Sequence, residues 1–227
     1  MKKYYMRAAK SPFDNFNAWQ TLMKDPIGGN SGNMLFVHSM FRTLMLDDNT
    51  TIDVNYNQWD LKECEKINET YDAFVIPLAN AFRSDFLGWD KMIPFIEKLK
   101  IPCIVTGVGV QMDYEPDFNR SYSFDEDAKL FCKKVLEKSA SIGVRGEITA
   151  KYLENLGFKN HIRIIGCPSM YMNGNNYKIT KFVDTLTYES KISFNGQKNV
   201  PKTCGIFLKK VLSNLKNIIL LVRVCMI

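Results

Sequence analysis

Four short apolar runs in this sequence each stop at residues that can grip a ligand. Residues 71–77 (YDAFVIP) lead into Leu78, Ala79 and Asn80, and residues 101–107 (IPCIVTG) lead into Val108, Gly109, Val110 and Gln111. Residues 140–144 (ASIGV) lead into Arg145, Gly146 and Glu147, and residues 162–166 (IRIIG) lead into Cys167, Pro168 and Ser169. Together these ends offer two amides, a guanidinium, a hydroxyl and the backbone N–H groups that Gly107 and Gly109 leave open. No carboxylate pair and no Ser-His-Asp order is readable. The set suits holding an anion or a sugar more than general acid–base work. Each residue also has a plainer reading. Gly107 and Gly109 can simply shape a turn. Gln111 can cap the next segment, and Asn80 can close an Asx turn. Arg145 can pair with Glu147 or Glu154. His38 reads as a core or rim residue of its helix.

A second cluster is PIGGNSGNMLFVHSM, residues 26–40, where three glycines and two asparagines fall between Gly28 and Asn33. It is either a loop that holds a charged ligand or a tight turn that caps a helix. It is not a P-loop, because Gly32 is followed by Asn33 and Met34 rather than by Lys and Ser or Thr. It does not match the dinucleotide pattern G-x-G-x-x-G either.

The elements that must position these residues alternate. The four apolar runs read as buried parallel strands, with residues 3–9 and 51–55 as weaker strands. Helical spacing predicts helices over 31–46, 61–69, 89–99, 124–138, 147–156 and 203–215. The helix over 124–138 opens with Asp125, Glu126 and Asp127 and closes with Lys133, Lys134 and Lys138, in agreement with the helix dipole. Gly157 is placed to end the helix before it. Alternating strand and helix define an α/β domain with a mostly parallel sheet, and ligands in such sheets bind beyond the carboxyl ends of the strands. Residues 217–227 (NIILLVRVCMI) read as a further strand with no sheet partner.

Bulk properties narrow the class. The chain has 227 residues, 46% hydrophobic, which suits one domain with an extension. Thirty basic against 24 acidic residues give +6, a mild excess spread along the chain. The densest group, Lys198, Lys202, Lys209, Lys210 and Lys216, reads as a solvated helix face rather than a nucleic-acid surface. The six cysteines are widely spaced without a C-x-x-C pair, which argues against a zinc site and a disulfide framework. The two histidines, His38 and His161, leave little for a histidine-based metal site. The N-terminus has no apolar signal region, and the apolar stretch 218–227 is interrupted by Arg223 and too short to span a bilayer. The expected location is therefore the cytoplasm.

Four ordered segments resemble the polysaccharide pyruvyl transferase family. They are IGGNSGNMLF (27–36), YDAFVIPLANAFRSDF (71–86), IPCIVTGVGVQ (101–111) and SIGVRGEITAKYLENLGF (141–158), the last running on into IRIIGCPSMY (162–171). The likeness covers most of 3–177 and, more loosely, extends to about 216. The resemblance implies a GT-B-like architecture of two Rossmann-like domains facing a cleft. Residues 1–176 would form the first domain, and 177–227 a linker and the start of the second. It implies transfer of a pyruvyl group from phosphoenolpyruvate to two hydroxyls of a surface-glycan sugar, as a ketal, with no metal or organic cofactor. The acceptor would be polymeric or lipid-linked, at the inner face of the membrane, with no nucleic-acid partner. On that reading Gly29, Asn30 and Asn33 face donor or acceptor, Asn80, Gly107, Gly109 and Gln111 line the same cleft, and Arg145 anchors an anionic group. The family's second domain carries an Arg-Leu-His-Gly-like segment that does not occur in these 227 residues. The expectation is thus a truncated form, inactive alone. A GT-B glycosyltransferase fragment and a non-enzymatic glycan-binding remnant are the alternatives.

Overall fold

The computed structural model describes residues 1–26, 30–55, 59–113 and 116–174, short pieces between 177 and 187, and the backbone of the strands Ile192–Gly196 and Ile218–Val222. The chain divides into two compact units, Met1–Asn175 and Asn176–Ile227.

The first unit holds strands β1 (Lys2–Arg7), β2 (Thr50–Asn55), β3 (Ala73–Pro77), β4 (Cys103–Thr106), β5 (Ile142–Val144) and β6 (Ile162–Ile164). Between them lie helices α1 (Ala18–Lys24), α2 (Gly32–Leu44), α3 (Cys64–Thr70), α4 (Trp89–Lys98), α5 (Asp125–Leu136) and α6 (Glu147–Asn155). Strands β2-β1-β3-β4 form a parallel sheet and β5-β6 a parallel pair. A single parallel bridge between Val108 and Val144 joins the two. This is an α/β, Rossmann-like arrangement whose order reverses at β1 and β3, where doubly wound sheets offer a crevice.

Side chains alternate across each strand, so one strand feeds two cores. Tyr5, Phe74 and Ile76 join Phe95, Phe131 and Leu153 in the larger one. Met6 and Val75 join Met40, Phe41 and Ile52 in the smaller one, under α2. All five residues of β3 are buried, as its unbroken apolar run requires for a central strand. Helix α5 is tied to α4 by Lys134 Nζ, 2.6 Å from Glu97 Oε1.

Three expectations are corrected. Helix α1 was not anticipated, although a capping box announces it: the Gln20 N–H donates to Asn17 Oδ1 at 2.8 Å, and the Asn17 N–H to Gln20 Oε1 at 3.1 Å. It went unread although Trp19, Leu22 and Met23 stand at helical spacing; the structure leaves all three exposed. His38 is exposed, one residue outside the buried run Ser39, Met40 and Phe41. The strand expected near the end of the chain does have a partner. In the second unit, β7 (Ile192–Gly196) pairs in parallel with β8 (Ile218–Val222), from Ile192 opposite Ile218 to Gly196 opposite Val222. Residues 192–196 (ISFNG) are too short and too mixed to read as a strand without that pairing. The helix expected over 203–215 lies outside the described residues.

Candidate functional site

The loops that leave β3, β4 and β5 converge through backbone pairing. The Gly109 N–H donates to Ala79 O at 2.8 Å, the Phe82 N–H to Gly109 O at 3.2 Å, and the Gln111 N–H to Phe82 O at 2.9 Å. On the other side, the Val108 N–H donates to Gly143 O at 3.2 Å and the Arg145 N–H to Val108 O at 2.9 Å. The sheet thus continues past the formal end of β4 and carries Asn80, Gly109 and Arg145 to one place. Phe82, wholly buried, pins the connection from below against Trp89, Phe131 and Tyr152. The buried Thr149 hydroxyl, near the start of α6, accepts the Val110 N–H at 3.1 Å.

At the point of convergence Arg145 Nη1 donates to Asn80 Oδ1 at 2.9 Å. The Arg145 guanidinium also stands 6.0 Å from the ring of Phe36, half-buried in the first half of α2. Its Nε has no hydrogen-bond partner among the described residues. A side-chain carbon at Gly109 would come 3.0 Å from Asn80 Oδ1 and 3.9 Å from Arg145 Cδ, so glycine there keeps the amide–guanidinium pair in place. Arg83 braces Asn80 from behind: its Nη1 donates to Asn80 O at 3.1 Å while its Nε lies 2.8 Å from Asp85 Oδ1. The assembly is an oriented, partly exposed cation with donors to spare, a form suited to carboxylate or phosphate.

The other candidates fall differently. Gly107 sits at φ +65°, and a Cβ there would lie 2.4 Å from Pro168 Cδ, in the 3₁₀ turn Pro168–Tyr171. Its role is to admit that proline. Gln111 is exposed, with its backbone in the Phe82 pairing. Asn30 Oδ1 accepts the Gly32 N–H at 3.0 Å and Asn30 O accepts the Asn33 N–H at 2.9 Å, an Asx turn that opens α2. Asn33 is exposed on the first turn of α2. Gly29 lies outside the described residues. The contribution of Phe36 was missed in the sequence because aromatic residues on an apolar helical face read as core.

Beneath this cluster, burial holds several core groups in their neutral forms. Burial first, then its hydrogen bond to Asp125 Oδ1 at 2.8 Å, raises the Tyr152 phenol, which stays neutral. Burial pushes the Cys103 thiol up to about 12 and raises Cys64 and Cys132 as well. No group of three His, Cys, Asp or Glu side chains among the described residues could hold a metal ion. No described helix is long and apolar enough to cross a membrane.

The parallel sheet with alternating helices defines the class, that of Rossmann-like α/β proteins, in which ligands bind beyond the carboxyl ends of the strands. The particular family follows from the sequence match: the model of the polysaccharide pyruvyl transferases covers residues 30–217, and the chain belongs to that family. No curated protein and no solved structure matches it.

Proposed function

We propose that this protein serves pyruvyl transfer from phosphoenolpyruvate to a sugar of a surface polysaccharide, forming a ketal, and that the Asn80–Arg145 pair holds the anionic donor. In this reaction two sugar hydroxyl oxygens bond to C2 of the enolpyruvyl group. One hydroxyl proton goes to the methylene, which becomes a methyl; the C2–O bond to phosphate breaks, and inorganic phosphate leaves with the other proton. Donor and product are both anionic, so a guanidinium that is held in place, with no carboxylate paired to it among the described residues, suits the task. The observation that carries the reading is the convergence of Asn80, Gly109 and Arg145 in a member of a transferase family. In this proposal the chain contributes donor and acceptor binding, as the first Rossmann-like domain of a GT-B-like pair. Gln111 and Asn33 face the acceptor, which is lipid-linked and met at the inner face of the membrane.

The test is phosphoenolpyruvate binding by calorimetry to the whole chain and to Arg145→Ala. Saturable binding that the substitution weakens at least tenfold, roughly the worth of one charged hydrogen bond, is the expected result. Equal binding by both proteins would remove Arg145 from the site.

A further inference from the structure

Apart from the Asn80–Arg145 cluster, an open groove of about 420 Å³ lies along the first turn of α4. Its walls include Trp59, from the connection after β2, and Phe86, Leu87 and Met92, with Asp90 and Lys91 at its polar edge. We infer that this groove is a saccharide subsite, one that binds a neutral pyranose of the acceptor chain away from the reacting sugar.

The aromatic walls are braced for such a role. The Phe86 ring lies 4.5 Å from that of Trp89, which is buried. The Trp59 ring is held edge-on by Phe95 at 5.4 Å and by Phe74 at 6.4 Å. Rings fixed by packing against other rings lose little freedom when a ligand lands on them. Their negative faces attract the slightly positive C–H face of a pyranose. Asp90 supplies an acceptor for sugar hydroxyls and Lys91 a donor, and both are exposed. The near balance of charge suits a neutral polyol better than a phosphate. Leu87 is 92% exposed, a large apolar side chain with no covering among the described residues. The groove volume falls in the range of small-ligand sites.

The groove also shares a loop with the strand-end cluster. One connection, from β3 to α4, carries Asn80 at its start and Phe86 and Leu87 at its end. Arg83 spans the two, bonding Asn80 O at 3.1 Å while its guanidinium stands 5.9 Å from the Phe86 ring. A polymeric acceptor reaches past its reacting sugar, and this inference rests on the polysaccharide acceptor of the proposed function.

The experiment uses the indole N–H signals of the three tryptophans, Trp19, Trp59 and Trp89, in the whole chain. Trp59 is assigned by its loss in Trp59→Phe. The probes are the methyl pyranosides of glucose, galactose and mannose, with cellotriose and maltotriose as chain probes and uridine monophosphate as the nucleotide control. The expected result is a saturable shift of the Trp59 signal with at least one saccharide, with Trp19 unmoved. Asp90→Ala and Leu87→Ala, both at exposed positions, should each weaken that binding, Asp90→Ala by about tenfold, the worth of a hydrogen bond to a charged group. Absence of any Trp59 shift, a shift that both variants leave unchanged, or a stronger response to the nucleotide would overturn the subsite. No donor is present in this titration, and Arg145→Ala should leave it unaltered. Failure of phosphoenolpyruvate binding would therefore be read separately from failure of the groove.

Discussion

Two regions of this molecule offer glycine and asparagine as candidate ligand contacts, and they are built in opposite ways. The turn before α2 is closed by its own residues: Asn30 accepts the N–H of Gly32, two positions away. The strand-end cluster is closed by residues remote in sequence: Asn80 meets Arg145 across 65 positions, and Gly109 leaves room for both. A locally satisfied turn needs nothing from a ligand. A guanidinium held in place by an amide retains donors that a ligand can take. The lesson is that residue type marks candidates, whereas convergence of separate loops makes a site.

The sharpest way to break this contrast is Phe82→Ala. It removes a fully buried ring that stacks on Trp89 and anchors the pairing of the β3 and β4 connections. A loss of about 3–5 kcal/mol is expected in chemical denaturation. Arg145→Ala should next cost roughly 1.5–3 kcal/mol of phosphoenolpyruvate affinity by calorimetry, with Arg145→Lys recovering only part because it lacks the planar fork. Asn30→Ala should leave that affinity unchanged.

The neighbouring glycines sharpen the comparison further. Gly107→Ala meets both a positive φ and Pro168, and should lower stability by about 1–3 kcal/mol. Gly109→Ala should act mainly on ligand affinity, by pressing on Asn80 Oδ1. Asn30→Ala should cost only about 1 kcal/mol of stability, as loss of a helix-initiating turn does. The smallest effect is chemical: with iodoacetamide at mild alkaline pH, Cys167, half-buried, should be alkylated before Cys64, Cys103 and Cys132. Peptide mass spectrometry reads the order, and early labelling of Cys103 would contradict its burial and its thiol raised to about 12.

Much of this was legible beforehand. Strands β1 to β6 and helices α2 to α6 stand where apolar runs and helical spacing put them, with ends shifted by a few residues. Asn80, Gly109 and Arg145 were readable as strand-end residues. Less was readable elsewhere. Helix α1 has apolar residues at helical spacing yet buries none of them, and Phe36 looks like core until its neighbour is known. The groove walls Trp59 and Phe86 are likewise ordinary apolar residues in a linear reading. The pairing of β7 with β8 joins residues 26 positions apart in register, beyond the reach of any local pattern.

By itself, then, the sequence determined the periodic elements, the buried character of β3 and the membership in a family whose match spans residues 30–217. These follow from short-range effects: backbone preference, the alternation of apolar and polar residues, and the hydrophobic drive to bury the apolar face. Only the tertiary structure decided that Arg145 takes Asn80 rather than Glu147 or Glu154, that Gly107 yields its space to Pro168 while Gly109 leaves room for Asn80 and Arg145, and that Trp59 and Phe86 line one groove. Those outcomes depend on which strand ends lie side by side, and that is set by packing of the whole sheet rather than by any residue's neighbours in the chain.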